Sequence, residues 1–200
     1  MKHIKVILLG ALTAGALIGC VSDDDFILAP FEEPVWIEDF QDAEDNTDLN
    51  ITGWTNYAEE GGELWSEQEF NGNGYAEFSS FSSGDAVNIG WLVTPALDID
   101  NTSKILKFET AQHHLDSDNN TLEVFISTDF NGTDVAAAIW EPLEATLPTQ
   151  ENEWYEFISS GDIDLSDYSG NVYIAFKVTG SGTDETLDGA YQIDNVKILK

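Results

Sequence analysis

From residue 35 onward, apolar and polar positions alternate in short runs, the two-residue period of half-buried strands. "LWSEQEF" (64–70) and "YAEFSSF" (75–81) flank Asn71-Gly72-Asn73-Gly74, which predicts a β-hairpin. "NIGWLVTP" (88–95) reads as a nearly continuous apolar strand closed by Pro95. "ILKFETA" (105–111) and "TLEVFIST" (121–128) alternate, and "WYEFISSG" (154–161) and "VYIAFKVTG" (172–180) read as further strands. Phe125, Tyr173 and Phe176 make some of these apolar on both faces, as expected where a loop or second sheet covers the other side. "TDVAAAIW" (133–140) is the single helical candidate, two turns capped by Thr133 or Asp134. About ten short strands separated by Asn-Gly, Asp and Ser turns predict an all-β sandwich.

The closing segment "AYQIDNVKIL" (190–199) breaks its own alternation. Tyr191 and Ile193 share one parity, Val196 and Ile198 the other, so both pairs face one core only if an extra residue intervenes. That residue falls at Asp194-Asn195, a carboxylate and an amide.

The N-terminus sets the expected compartment. "MKHIKVILLGALTAGALIGC" carries Lys2 and Lys5, a short apolar run and small residues, the pattern of a secretory signal over residues 1–19. Leu17-Ile18-Gly19-Cys20 resembles the lipobox of bacterial lipoproteins, which implies that Cys20 is lipidated. Cys20 is the only cysteine, so no internal disulfide exists; the alternative reading is an ordinary secreted chain with a stray thiol. Val21, rather than Asp, implies sorting to the outer membrane, and Ser22-Asp23-Asp24-Asp25 resembles a surface-export tag. Residues 20–34 form an acidic linker, and 35–200 suit one domain.

Charge narrows the partners. The chain has 38 acidic residues against 7 lysines, no arginine and a formal charge of −31. Nucleic acid and anionic lipid heads would be repelled, whereas cations are attracted. The membrane contact expected is through the lipid alone. With 42% apolar and 12% aromatic residues, the chain is nevertheless rich enough to build a core.

"WIEDFQD" (36–42), "WLVTPALDID" (91–100), "LKFETA" (106–111), "LEVFISTDFNG" (122–132), the run from 154 to 180 and "YQIDNVKIL" (191–199) resemble, in this order, the choice-of-anchor J and cleaved-adhesin modules. The resemblance implies a jelly-roll β-sandwich like that of carbohydrate-binding modules, no catalytic centre, and a calcium ion near the joined chain ends. A "DxDGDG"-like segment of some members is missing. In such jelly rolls the first and last strands run side by side, which would bring Glu38 and Asp39 to Asp194. Converging carboxylates repel unless a cation neutralises them, and calcium accepts such oxygens. Asp85 and Asn88 are further candidate ligands; the alternative is ordinary strand-edge charges facing water. "DSDNNT" (116–121) and "DIDNTS" (98–103) lack the glycine of a calcium loop and read as turns.

No nucleophile elbow and no paired-carboxylate motif on one strand face points to an enzyme. His113-His114 are adjacent, and neighbouring strand residues point to opposite faces, so they do not read as a metal pair. Among six tryptophans, Trp54, Trp91 and Trp154 read as core, whereas Trp65 and Tyr57, with His113 and His114, are the candidates for contacting a ligand. The expectation is a non-catalytic, calcium-stabilised surface module that binds extracellular glycan or mediates adhesion. The alternatives are a protein-binding adhesive surface without a sugar pocket, and a hydrolase.

Overall fold

The computed structural model describes residues 33–102 and 104–200, which form one compact unit. The expected signal, the expected lipidation at Cys20 and most of the expected acidic linker fall outside the described residues. In chain order the strands are β1 (Pro34–Glu38), β2 (Thr47–Asp48), β3 (Thr55–Glu60), β4 (Ser66–Phe70), β5 (Asn73–Ser79), β6 (Asn88–Val93) and β7 (Leu97–Asp98). There follow β8 (Ile105–His113), β9 (Thr121–Ser127), β10 (Glu141–Pro142), β11 (Ile158–Ser159), β12 (Ile163–Asp164), β13 (Asn171–Gly180) and β14 (Ala190–Leu199).

All pairings are antiparallel and form two sheets. One runs β11-β8-β14-β5-β4-β2, with β1 also on β14 and β12 on β8; the other runs β10-β9-β13-β6-β3, with β7 on β13. Their inner faces enclose Phe78, Phe108, Leu92, Ile174, Phe176 and Ile193, making the β-sandwich that the alternation predicts, in the jelly-roll form that the resemblance implies. The hairpin prediction also holds. Phe70 pairs with Asn73, and Asn71 (φ 55°) and Gly72 (φ 83°) form a two-residue turn with both residues left-handed, as an Asn-Gly turn favours.

The parity break in β14 is a bulge. Asp194 pairs with Glu109 and Lys197 with Lys107, so three steps along β14 span two along β8. Asn195, at φ 50°, is the extra residue, and Tyr191, Ile193, Val196 and Ile198 all reach the core. The bulge is also where β14 exchanges one neighbour for another. Ala190–Ile193 pair with β5, whereas Val196–Leu199 pair with β1.

Two expectations need correcting. The segment 133–140 makes only a three-residue 3-10 turn, Val135–Ala137, capped by Asp134, because the chain has to fold back across the six-stranded sheet. There Phe130, Val135 and Trp140 cover Trp91, Phe125 and Tyr173, which accounts for the strands apolar on both faces. The segment 154–161 contributes just Ile158–Ser159 to a strand. The chain before it is turned by Asn152, whose amide N–H donates to the Thr149 carbonyl and whose side-chain oxygen accepts from the Thr149 N–H.

The sheets pack without room for a side chain where Gly90 of β6 faces Phe78 of β5. A Cβ placed on Gly90 would lie 2.0 Å from the Phe78 ring. Gly90→Ala should therefore destabilise the domain by about 3 kcal/mol through overpacking, read as a lower urea midpoint at unchanged slope. A loss below about 0.5 kcal/mol would show that the sheets do not pack through this contact.

Candidate functional site

The outer face of the eight-stranded sheet is polar. Residues of β4, β5, β14 and β8 that share this face fall into register: Ser66 opposite Glu77, Glu77 opposite Gln192, and Ala190 between Ser79 and His113. Glu77 is the centre of the array. It accepts a hydrogen bond from Gln192 Nε2 at 2.7 Å, and the same oxygen lies 3.2 Å from His113 Nε2. Above this floor lies a groove of about 800 Å³, whose walls include Glu63, Phe81, His114 and Asp188. The volume is within the range of small-ligand sites.

Its electrostatics are negative. Burial pushes the Glu63 carboxyl up, and Asp85 and Asp48 push it further. Burial raises Asp188 too, with Glu185 and Asp116 adding to the rise and His114 opposing it. No lysine lines the groove among the described residues. It suits hydroxyl and amide donors or cations, and disfavours anions.

An aromatic border stands beside the groove. Trp154 and Tyr155 are each 53% exposed. Tyr155 stacks on His113 (ring centroids 4.6 Å apart) and Trp154 leans on His114 (4.0 Å). The Tyr155 N–H donates to the Gln112 carbonyl at 2.9 Å, pinning this turn against β8. Farther along, Phe157 meets Tyr75 edge-on at 5.8 Å, and burial followed by the Glu77 charge pushes the Tyr75 hydroxyl up to about 12. Phe81, 70% exposed, stands on the groove wall.

The four residues expected to contact a ligand do not come together. His113 and His114 line the groove, and they meet because His114, at φ 55°, leaves the alternation of β8; the premise that they point to opposite faces is thereby overturned. Trp65 is fully buried. The Asn56 side chain accepts from its N–H and donates to its carbonyl, drawing the indole inward onto Phe78 at 5.7 Å. Tyr57 belongs to the other sheet, in a separate pocket of about 300 Å³ with Glu59, Trp91, Trp140 and Lys177. Trp91 is buried and Trp54 half-buried, packed with Trp36 and Phe40, but Trp154 is exposed rather than core. Trp154, Tyr155 and Phe81 were missed, since "WYEF" and "YAEFSSF" have strand composition; Asn152 before the former was the available turn signal.

Of the candidate calcium ligands, Asp39 lies near enough to Asp194 for its charge to act on it, whereas Glu38, Asp85 and Asn88 are engaged elsewhere. β1 does lie beside β14, with Glu38 opposite Val196. The Glu38 carboxylate, however, accepts from the Phe40 N–H at 3.1 Å and from Trp54 Nε1 at 3.3 Å. Asp194 is 2% exposed; it accepts from Asn73 Nδ2 at 3.1 Å and from the Asn195 N–H at 2.6 Å, while Asn195 Nδ2 donates to Glu109 at 2.9 Å. Burial raises the Asp194 carboxyl and the charges of Glu109 and Asp39 raise it further, against those two hydrogen bonds. Among the described residues, no lysine pairs with it. Asp85 and Asn88 sit at the other end of β14, where Asp85 accepts from the Gly62 N–H and Asn88 donates to Ser83. Among the described residues, no group of three His, Cys, Asp or Glu side chains is placed to hold a metal ion.

The profile of the family described as "Domain of unknown function (DUF5017)" matches residues 63–199. No curated protein matches the chain. Among solved structures, the K1 cleaved adhesin domain of Lys-gingipain from Porphyromonas gingivalis W83 is similar at 21% identity and a TM-score of 0.53, over 82% of this chain and 96% of that one. The K2 domain of Lys-gingipain is similar at 14% identity and 0.52, over 82% and 98%. A carbohydrate-binding module described for specific mannan recognition, TmCBM27, is similar at 14% identity and 0.50, over 85% and 98%. At these identities the likeness is one of fold, and it agrees with the jelly-roll sandwich read from the register. With its profile match covering more than half of the sequence, the chain belongs to the DUF5017 family.

Proposed function

We propose that this chain is a non-catalytic binding module that takes an extracellular glycan along the groove over its eight-stranded sheet. The observation that carries the reading is the groove itself: about 800 Å³, with a carboxylate and amide floor beside the exposed rings of Trp154 and Tyr155. Sugar hydroxyls donate to carboxylates, and sugar CH faces stack on aromatic rings. The adhesin and mannan-recognising domains that share this fold support a binding role. The lipobox at Leu17–Cys20, the acidic segment after it and the likeness to choice-of-anchor J modules support attachment through a lipid on Cys20 to the outer membrane, with the module facing outward. Affinity electrophoresis in a panel of neutral polysaccharides, mannan and xylan included, tests the reading. The double variant Trp154→Ala/Tyr155→Ala should lose at least about tenfold in affinity, the loss of 1.4 kcal/mol, with its melting temperature unchanged. Retention equal to wild type would remove the groove from the function, and retardation by no glycan would favour the protein-binding alternative.

The calcium ion implied by the resemblance belongs to the same proposal, as a structural group. The donors near the bulge are hard oxygens, and Asp194 with Asp39 would hold the ion, supplemented by backbone and amide oxygens. A buried carboxylate raised by burial and by two neighbouring carboxylates stands to gain from a cation. The sign follows from the raised value: without metal, folding favours the protonated form, so this contribution is fully present below the unfolded value and is lost as pH rises through the folded one. In EDTA at pH 7, Asp194→Asn should therefore be at least as stable as wild type. Calcium at 100 times its dissociation constant should stabilise wild type by about 2.7 kcal/mol, roughly 5–10 °C in Tm, and leave Asp194→Asn unmoved. Identical wild-type melting in calcium and EDTA would remove the ion from the account.

A further inference from the structure

The two adjacent histidines at the end of β8 are arranged in a way the glycan reading does not use. His113 Nδ1 and His114 Nδ1 lie 2.8 Å apart, with their rings nearly perpendicular at 83°. Glu77 fixes the tautomer of His113. Its carboxylate accepts only, so the proton of His113 is on Nε2, 3.2 Å away, and the Nδ1 lone pair is free. His114 then donates from Nδ1 to that lone pair. A carboxylate behind one imidazole nitrogen, leaving the other as a donor atom, is the arrangement that orients metal-binding histidines.

We infer that His113 and His114 chelate a divalent transition ion of the copper(II) class through their paired Nδ1 atoms. The ion displaces the shared hydrogen and stands beside the line that joins the two nitrogens. The His114 proton passes from Nδ1 to Nε2 through solvent, so both rings remain neutral and both lone pairs serve the ion. The spacing selects the geometry. Two nitrogens about 2.05 Å from a common ion and 2.8 Å apart subtend about 86°. That is close to the right angle of tetragonal copper(II) and well short of the tetrahedral angle of zinc. The pair is also held in place: Tyr155 stacks on one ring, Trp154 packs on the other, and the left-handed backbone at His114 is what turns its ring toward His113. Asp116, Glu185 and Asp188 line the same groove and raise the local concentration of cations. With no third His, Cys, Asp or Glu placed to join them among the described residues, the other coordination positions are open to water or to a donor in the groove.

The test uses the full chain, purified without a polyhistidine tag and carrying His3→Ala and Cys20→Ser, so that the remaining histidine and the thiol are silent. Copper(II) chloride alone is titrated calorimetrically, and the complex is examined by electron paramagnetic resonance. The expected result is one copper per chain with coupling to two nitrogens. His114→Ala, an exposed position, should bind at least tenfold more weakly and retain coupling to one nitrogen, and His113→Ala should do the same. Glu77→Gln should keep both nitrogens and lose about tenfold in affinity, as loss of an orienting partner does. Oxygen-only ligation in the parent, or parent-like affinity in His114→Ala, would overturn the assignment, and the His114 variant decides the matter if the His113 variant does not fold.

Discussion

β14 has to serve three neighbours with one set of side chains. It pairs with β8 along its length, with β5 up to Ile193 and with β1 from Val196. The β5 hairpin and the entering chain cannot occupy the same edge, so the strand must hand over from one to the other while its apolar side chains stay inward. One extra residue accomplishes both. Asn195 takes a left-handed conformation that asparagine tolerates, Asp194 accepts from its N–H, and its amide reaches across to Glu109. The result is a buried carboxylate at the seam between the chain ends, a cost that the fold accepts in exchange for an uninterrupted core.

The two outer faces of the sandwich then diverge. The six-stranded sheet is roofed by the 130–140 segment, whose aromatic residues pack on Trp91, Phe125 and Tyr173. The eight-stranded sheet keeps a polar floor and an open groove, because its flanking chain turns aside at Asn152 and stands beside it as the Trp154-Tyr155 border. Glu77 links these features, joining Gln192 of β14 to His113 of β8 in one hydrogen-bonded row. The same carboxylate therefore shapes the floor for a neutral ligand and the orientation of the histidine pair.

Much of the fold was legible because it depends on local rules. The parity change between Ile193 and Val196 required an extra residue wherever the strand lay, and Asn71-Gly72 specified its turn by backbone conformation. The site was legible only in part. Whether Trp65 faces water depends on Asn56, nine residues away, clamping its backbone from another strand, and no periodicity records that contact. The histidines were found, but their mutual geometry was not, since it rests on one left-handed residue at a strand end. Trp154 and Tyr155 have the composition of a strand, and the Thr149–Asn152 turn overrode it. Beside the bulge the structure brings Asp39 near Asp194, but the Glu38 carboxylate is taken by the Phe40 N–H and Trp54, and Asp85 and Asn88 belong to the opposite end.

The account stands on the extra residue in β14, and deleting Asn195 tests it most directly. Removing it would turn Val196 and Ile198 outward and undo the pairing with β1. Urea unfolding of the deletion variant should show a loss above about 4 kcal/mol, with hydrogen exchange protection gone from Trp36 and Ile198. A variant that unfolds at the wild-type midpoint with those amides still protected would contradict the account.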